Sequence, residues 1–191
     1  MFLLKRNSQS LIDRSRRGDP KALHTLYSGY CDSVYSTCLR LVGQVAVAEE
    51  LTQDVFLAAF GSLAKLRSEE AFGGWVRRIA VNLSLNHLRR RPEPLLFRDE
   101  LPEVLPEDES LDDWSQISTT KLSEAIASLP EKARVVFSLY QLEGLRHREI
   151  ADTLGISEST SKSQYQRALM LLRQKLIPAH SVASSQQTVA P

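Results

Sequence analysis

Two stretches of this chain concentrate side chains that can hold a nucleic acid. Between Arg77 and Arg91 stand five arginines and two asparagines: Arg77, Arg78, Asn82, Asn86, Arg89, Arg90 and Arg91. A guanidinium meets phosphate with charge and paired N–H donors, and an asparagine amide can match a base edge. Trp75 precedes them, as a core residue or as a platform on which a base stacks. In the second stretch, Ser159, Lys162, Ser163, Gln166 and Arg167 recur on one side of a helix pattern. Tyr165, Ala168, Leu169, Leu172 and Leu176 recur on the other. A third stretch has a different chemistry. Glu50, Gln53, Asp54 and Leu57 point outward from the apolar line Leu51, Val55, Ala59 and Leu63, with Phe56 at the edge. Acids around exposed apolar anchors suit a basic protein partner.

Helices must carry all three stretches. The spacing predicts a first helix from about Ser10 to Arg17, ended by Gly18. Asp19-Pro20 then opens a second: the aspartate caps it, and proline loses no needed amide in the first turn. Leu23, Leu26, Tyr27, Tyr30, Val34, Cys38 and Leu41 give that helix its apolar stripe, and Gly43 ends it. A third helix is expected from about Val47 to Leu66, and a fourth from about Phe72 to Arg91, packed through Trp75, Ile79, Leu83 and Leu88. Near the end, Ile150, Ala151 and Leu154 form the inner face of a short helix closed by Gly155. Ser157 caps the next one. The pair is a helix-turn-helix, with a polar second helix shaped for a major groove. No segment alternates as a strand would, so the expected class is all-α.

Charge divides the chain. Its total is only +1, but residues 92–118 hold nine acids against one base, Arg98, and so carry −8. That leaves +9 for the remainder. The acidic stretch also holds four of the eight prolines, which disfavour helix. It reads as a linker (92–118) between an N-terminal helical domain (8–91) and a C-terminal helix-turn-helix domain (119–177), before a disordered tail (178–191). Cys31 and Cys38, seven apart on a helix, would sit about 10 Å apart and cannot bridge. They read as buried free thiols of a reducing compartment. No spacing of Cys and His suggests zinc or another metal, and no cofactor motif is present. No apolar run approaches a membrane span. The four histidines, His24, His87, His147 and His180, have no nucleophile or carboxylate at useful spacing, so catalysis is not expected.

Four stretches in order carry a resemblance: GDPKALHTLY (18–27), AEELTQDVFLAAF (48–60), FGGWVRRIAVNLSLNHLRRR (72–91) and LPEKARVVFSLYQLEGLRHREIADTLGISESTSKS (129–163). Together they are similar to the extracytoplasmic-function sigma factors, small two-domain initiation factors of bacterial transcription. The resemblance covers about Leu11 to Leu176. It implies that Glu50, Gln53, Asp54, Phe56 and Leu57 dock on the β′ clamp helices of core RNA polymerase. It implies that Trp75, Arg77, Arg78, Asn82, Asn86, Arg89, Arg90 and Arg91, with the loop before their helix, open the −10 element. There they would hold the single strand, with Asn82 reading a flipped base. It implies that Ser159, Lys162, Ser163, Gln164, Gln166 and Arg167 read the −35 duplex while the polymerase β flap supports that domain. The linker would thread polymerase channels. An anti-sigma factor, often membrane-bound, is a further implied partner, and the cytoplasm the implied location.

The recognition helix departs from the family pattern. Ser161 stands where an apolar residue faces inward, while Gln164 and Leu169 stand where cations are usual. Fewer cations weaken phosphate attraction and flatten its salt dependence. A Gln164 that reached a base would favour adenine. The expectation is an altered −35 preference or weaker duplex binding. The alternative function is a free-standing helix-turn-helix transcriptional regulator, since LGISESTSKS also resembles response-regulator output domains. That reading accounts for residues 145–176 and leaves the acidic and arginine-rich helices unexplained.

Overall fold

The computed structural model describes residues 11–66, 69–91 and 118–176; the acidic stretch and the tail lie outside them. Among the described residues there is helix and no strand, as the all-α expectation required. They fall into two compact units, divided near residue 95.

The N-terminal unit begins with helix at residues 11–16 (α1). Gly18 follows with φ +79, a left-handed turn that glycine adopts without strain. Asp19 caps α2 (Pro20–Val42), its carboxylate accepting from the Lys21 and Ala22 amides. Arg14 binds the same carboxylate and is the main cause of its lowered pKa. Gly43, at φ 73, terminates α2 with its amide donating to the Leu39 carbonyl. Next come α3 (Val45–Gly61) and α4 (Phe72–Arg90), each packed against α2 and against the other. Leu26, Val34, Cys38 and Leu41 of α2 meet Leu51, Val55 and Ala59 of α3 and Val76, Ala80 and Leu85 of α4 in a shared core. Burial pushes the Cys38 thiol up, against a smaller pull from the neighbouring Ser84 and Thr52 hydroxyls. Cys31 is half-exposed, which corrects the expectation that both thiols are buried; both are free.

Helix α3 ends earlier than expected. Gly61 is a poor helix former, and the Ser62 hydroxyl bonds back to the Ala58 carbonyl. A 3₁₀ turn, Leu63–Lys65, carries the chain onward and still buries Leu63. Arg16 of α1 donates to the Leu63 and Leu66 carbonyls, at 3.4 and 3.0 Å, and fastens this turn. At the start of α4 a Cβ on Gly73 would lie 2.9 Å from Tyr30 Cε1, so glycine permits the close approach of that ring.

The C-terminal unit contains α5 (Thr119–Ala127), α6 (Glu131–Phe137), α7 (His147–Leu154) and α8 (Glu158–Leu176). Ser118 caps α5 by accepting from the Lys121 amide. Helix α6 runs on into a π-type turn, Ser138–Leu142, that no sequence signal announced. The long α8 packs against α5, α6 and α7. Ile126, Ala133, Phe137, Ile150, Ala168, Leu169 and Leu172 close the core, while Leu154 and Leu176 of the expected inner faces are half-buried.

Candidate polymerase and nucleic-acid faces

Core packing decides which side of each helix remains available. On α3, burial of Leu51, Val55 and Ala59 turns Glu50, Gln53 and Asp54 to solvent. Leu57 is 72% exposed and stands beside the exposed Gln53 and Asp54. Phe56 differs from expectation. It is 3% exposed, and its ring lies 4.7 Å from that of Tyr27 and 5.6 Å from that of Phe60. It therefore shapes the face from beneath and offers no surface of its own. The reason is periodicity: Phe56 adjoins Val55 and follows Thr52 by four residues, and both are buried.

On α4 the core line is Phe72, Val76, Ala80, Val81, Leu85 and Leu88. The expected stripe of Trp75, Ile79 and Leu83 is only half-buried, with Leu88 alone of that set in the core. The helix is thus rolled relative to the expected packing, because Phe72 takes the anchoring position, edge-on to Tyr30 at 5.1 Å. Trp75, Asn82 and Arg89 are seven residues apart and align along one side. Arg78 and Asn86 flank that line, and Arg78, Asn82, Asn86, Arg89 and Arg90 are all exposed. Trp75 leans on Phe72 at 6.0 Å and keeps part of its ring in solvent. Asn86 accepts from Arg89 Nη1 at 3.4 Å. Arg77 is exposed but lies two residues from Trp75 and so away from that line, and Arg91, half-exposed, ends the helix. Arg89 and Arg90 in the last turn also complement the helix dipole. The preceding loop is described only in part, since residues 67–68 lie outside the described set.

The helix-turn-helix is built as its caps require. Gly155, at φ 68, ends α7 with its amide donating to the Ala151 carbonyl. Ser157 Oγ accepts from the Thr160 amide at 3.0 Å and starts α8. Glu149 accepts from the Arg146 amide at 2.8 Å and caps the start of α7. Ser159, Lys162 and Arg167 are exposed, and Ser163 and Gln166 are half-exposed. Gln164 is 5% exposed, which removes it from the groove-reading set. It precedes the core residue Tyr165 and follows buried Thr160 by four residues, so α8 turns it inward. Met170, 37% exposed and seven residues after Ser163, joins the outer side; its apolar type hid it in the sequence. Lys162 Nζ lies 2.9 Å from Glu158 Oε1, so a carboxylate accompanies this cation. That contact is the first cause of the lowered Glu158 pKa.

These placements can be set beside known proteins. Residues 26–92 match the model of sigma-70 region 2, and residues 119–172 that of sigma-70 region 4. The ECF RNA polymerase sigma-E factor of Haemophilus influenzae is 32% identical over 184 residues, 89% of this chain and 95% of the relative. The chain belongs to the sigma-70 family, among its ECF members. The RNA polymerase sigma-H factor of Pseudomonas aeruginosa is 29% identical to this sigma factor, over 93% of this chain and 97% of the relative. A solved structure of the sigma factor RpoE of Bartonella quintana with the anti-sigma factor NepR is 18% identical, with a TM-score of 0.48, over 81% of this chain and 96% of that one. The region 2 match contains α3 and α4, the helices that a free-standing regulator leaves without a task. The regulator reading is therefore not favoured.

Proposed function

We propose that this sigma factor divides its work among three faces. The chain is an initiation factor that acts with RNA polymerase at promoters, and the face assignments are our reading. Glu50, Gln53, Asp54 and Leu57 bind core polymerase. Trp75, Arg77, Arg78, Asn82, Asn86, Arg89, Arg90 and Arg91 hold the opened −10 strand. Ser159, Lys162, Ser163, Gln166 and Arg167 meet the −35 duplex. The observation that carries this reading is the outward turn of all three sets by the same packing that buries their helices' apolar sides. Opening needs no nucleotide hydrolysis in this scheme. Unstacking a base costs about a few kcal/mol, which a stacked Trp75, an amide on the base edge and guanidinium contacts can offset.

The two units act as separate domains in this proposal, and residues 92–118 join them as an acidic linker. The partners are core polymerase through its β′ clamp helices and β flap, promoter DNA, and an anti-sigma factor that covers these faces. The place of action is the cytoplasm. Leu57→Asp with full-length chain and core polymerase tests the first face. An apolar anchor replaced by a charge should weaken assembly by at least about tenfold in a competition assay. Unchanged assembly would remove α3 from the polymerase interface.

A further inference from the structure

Ser161 lies at 0% exposure inside the helix-turn-helix, at a core-facing position where an apolar side chain would be ordinary. Its hydroxyl is not left alone. His147, the first residue of α7, brings Nδ1 to 2.9 Å from Ser161 Oγ. The imidazole stacks on Tyr140 at 4.3 Å and 14° and meets Tyr165 edge-on at 5.6 Å. Tyr165 is itself held, its hydroxyl donating to Gln141 Oε1 at 2.9 Å and its ring 4.5 Å from that of Tyr140. One histidine thus touches the π-type turn, starts α7 and binds α8, one residue from the outward Lys162.

We infer that His147 is a positioning residue for −35 recognition, fixing the roll of α8 through Ser161, and that this makes −35 selectivity fall on acidification. The inference rests on the proposed use of α8 as the duplex-reading helix. In the neutral ring Nδ1 can accept the Ser161 hydroxyl proton; an imidazolium can only donate, so the bond must reverse and the Ser161 proton must find another acceptor inside the unit. A half-buried, stacked ring also resists charging. Burial first, then Lys162, lowers the His147 pKa below its ordinary value, against an opposing pull from Glu158. Those two charges face it from α8, Tyr140 and Tyr165 cover its ring, and Arg148 follows it on α7. The unfolded chain takes up a proton as pH falls through about 6.5, before the folded one does. The docked arrangement is therefore fully favoured above that pH and loses stability below it.

The test uses full-length chain with core polymerase and two templates. One carries a −35 element selected by the wild-type holoenzyme from a randomised library, and the other a scrambled one. The ratio of initiation at the two cancels the general gain in DNA attraction that acid brings. From pH about 8 to about 5, across the lowered His147 titration, the wild-type ratio should fall about fivefold, the order of one hydrogen bond's net contribution. His147→Gln, which can accept but not titrate, should give a flat ratio. Ser161→Ala should start with a lowered ratio at the higher pH. A wild-type slope retained in His147→Gln, or a wild-type ratio retained in Ser161→Ala, would overturn the inference. No chain-dependent initiation on either template would instead overturn the functional reading. Nitrogen NMR of the His147 ring in the unmodified chain guards against variants that do not fold. A titration below about 6.5 should be matched by shifts of the Ser161 and Lys162 amides. An ordinary titration, or silent α8 amides, would refute the coupling.

Discussion

Helices α4 and α8 both present polar sides, yet their chemistry differs. On α4, arginines and asparagines accumulate along an exposed line beside a half-exposed Trp75, and no acid stands between Trp75 and Arg91. On α8, Lys162 is accompanied by Glu158, Ser161 and Gln164 are turned inward, and serines and Gln166 occupy much of the outer side. The first surface suits strong, charge-driven attachment to an irregular strand. The second suits weaker binding by shape and hydrogen bonds, with little charge to spend on phosphate. The contrast suggests that affinity resides in the N-terminal unit and in polymerase, while α8 contributes selection.

Removing the amide of Asn82 should give the largest effect. Asn82→Ala in holoenzyme should lower promoter opening by about tenfold or more at its preferred base, read as permanganate reactivity of melted thymines. Equal opening on every −10 sequence, before and after substitution, would deny α4 a reading role. Next in size is the charge itself. Arg78→Ala combined with Arg90→Ala should flatten the log–log salt dependence of open-complex formation by about 0.7 per contact. A smaller change is expected on α8. Arg167→Ala should weaken initiation that depends on the −35 element by about threefold, by the range of exposed charge contacts. Glu158→Gln should act in the opposite direction, because it removes the carboxylate charge beside Lys162. A gain of about twofold, lost at high salt, would support the pairing, and a decrease would contradict it. The smallest effect is a predicted null: Gln164→Ala should leave the selected −35 sequence unchanged while lowering the thermal midpoint. A switch away from adenine would return Gln164 to the groove.

Much of this architecture was legible because local signals are physical commitments. Asp19-Pro20, Gly43, Gly155 and Ser157 sit where the helix ends lie, each by a cap or a left-handed turn. The outward set on α3 followed from its apolar period. Tertiary features were less legible. Trp75, Ile79 and Leu83 look as able to pack as Phe72, Val76 and Ala80, and only the tertiary roll of α4 separates them. Phe56 and Gln164 were misplaced for the same reason, since a face boundary shifted by one residue exchanges core for surface. The His147–Ser161 contact joins residues fourteen apart across a turn, and a serine at a core position gave no hint of its partner.

The central claim is that this chain confers promoter-specific initiation on core polymerase. Abortive transcription with purified core enzyme, with and without the chain, on a library of genomic promoters measures it directly. Chain-dependent initiation is expected at sites sharing two short elements, lost together with core binding in Leu57→Asp. Failure to initiate and failure to bind core polymerase, with unaided binding to duplex promoters, would contradict it.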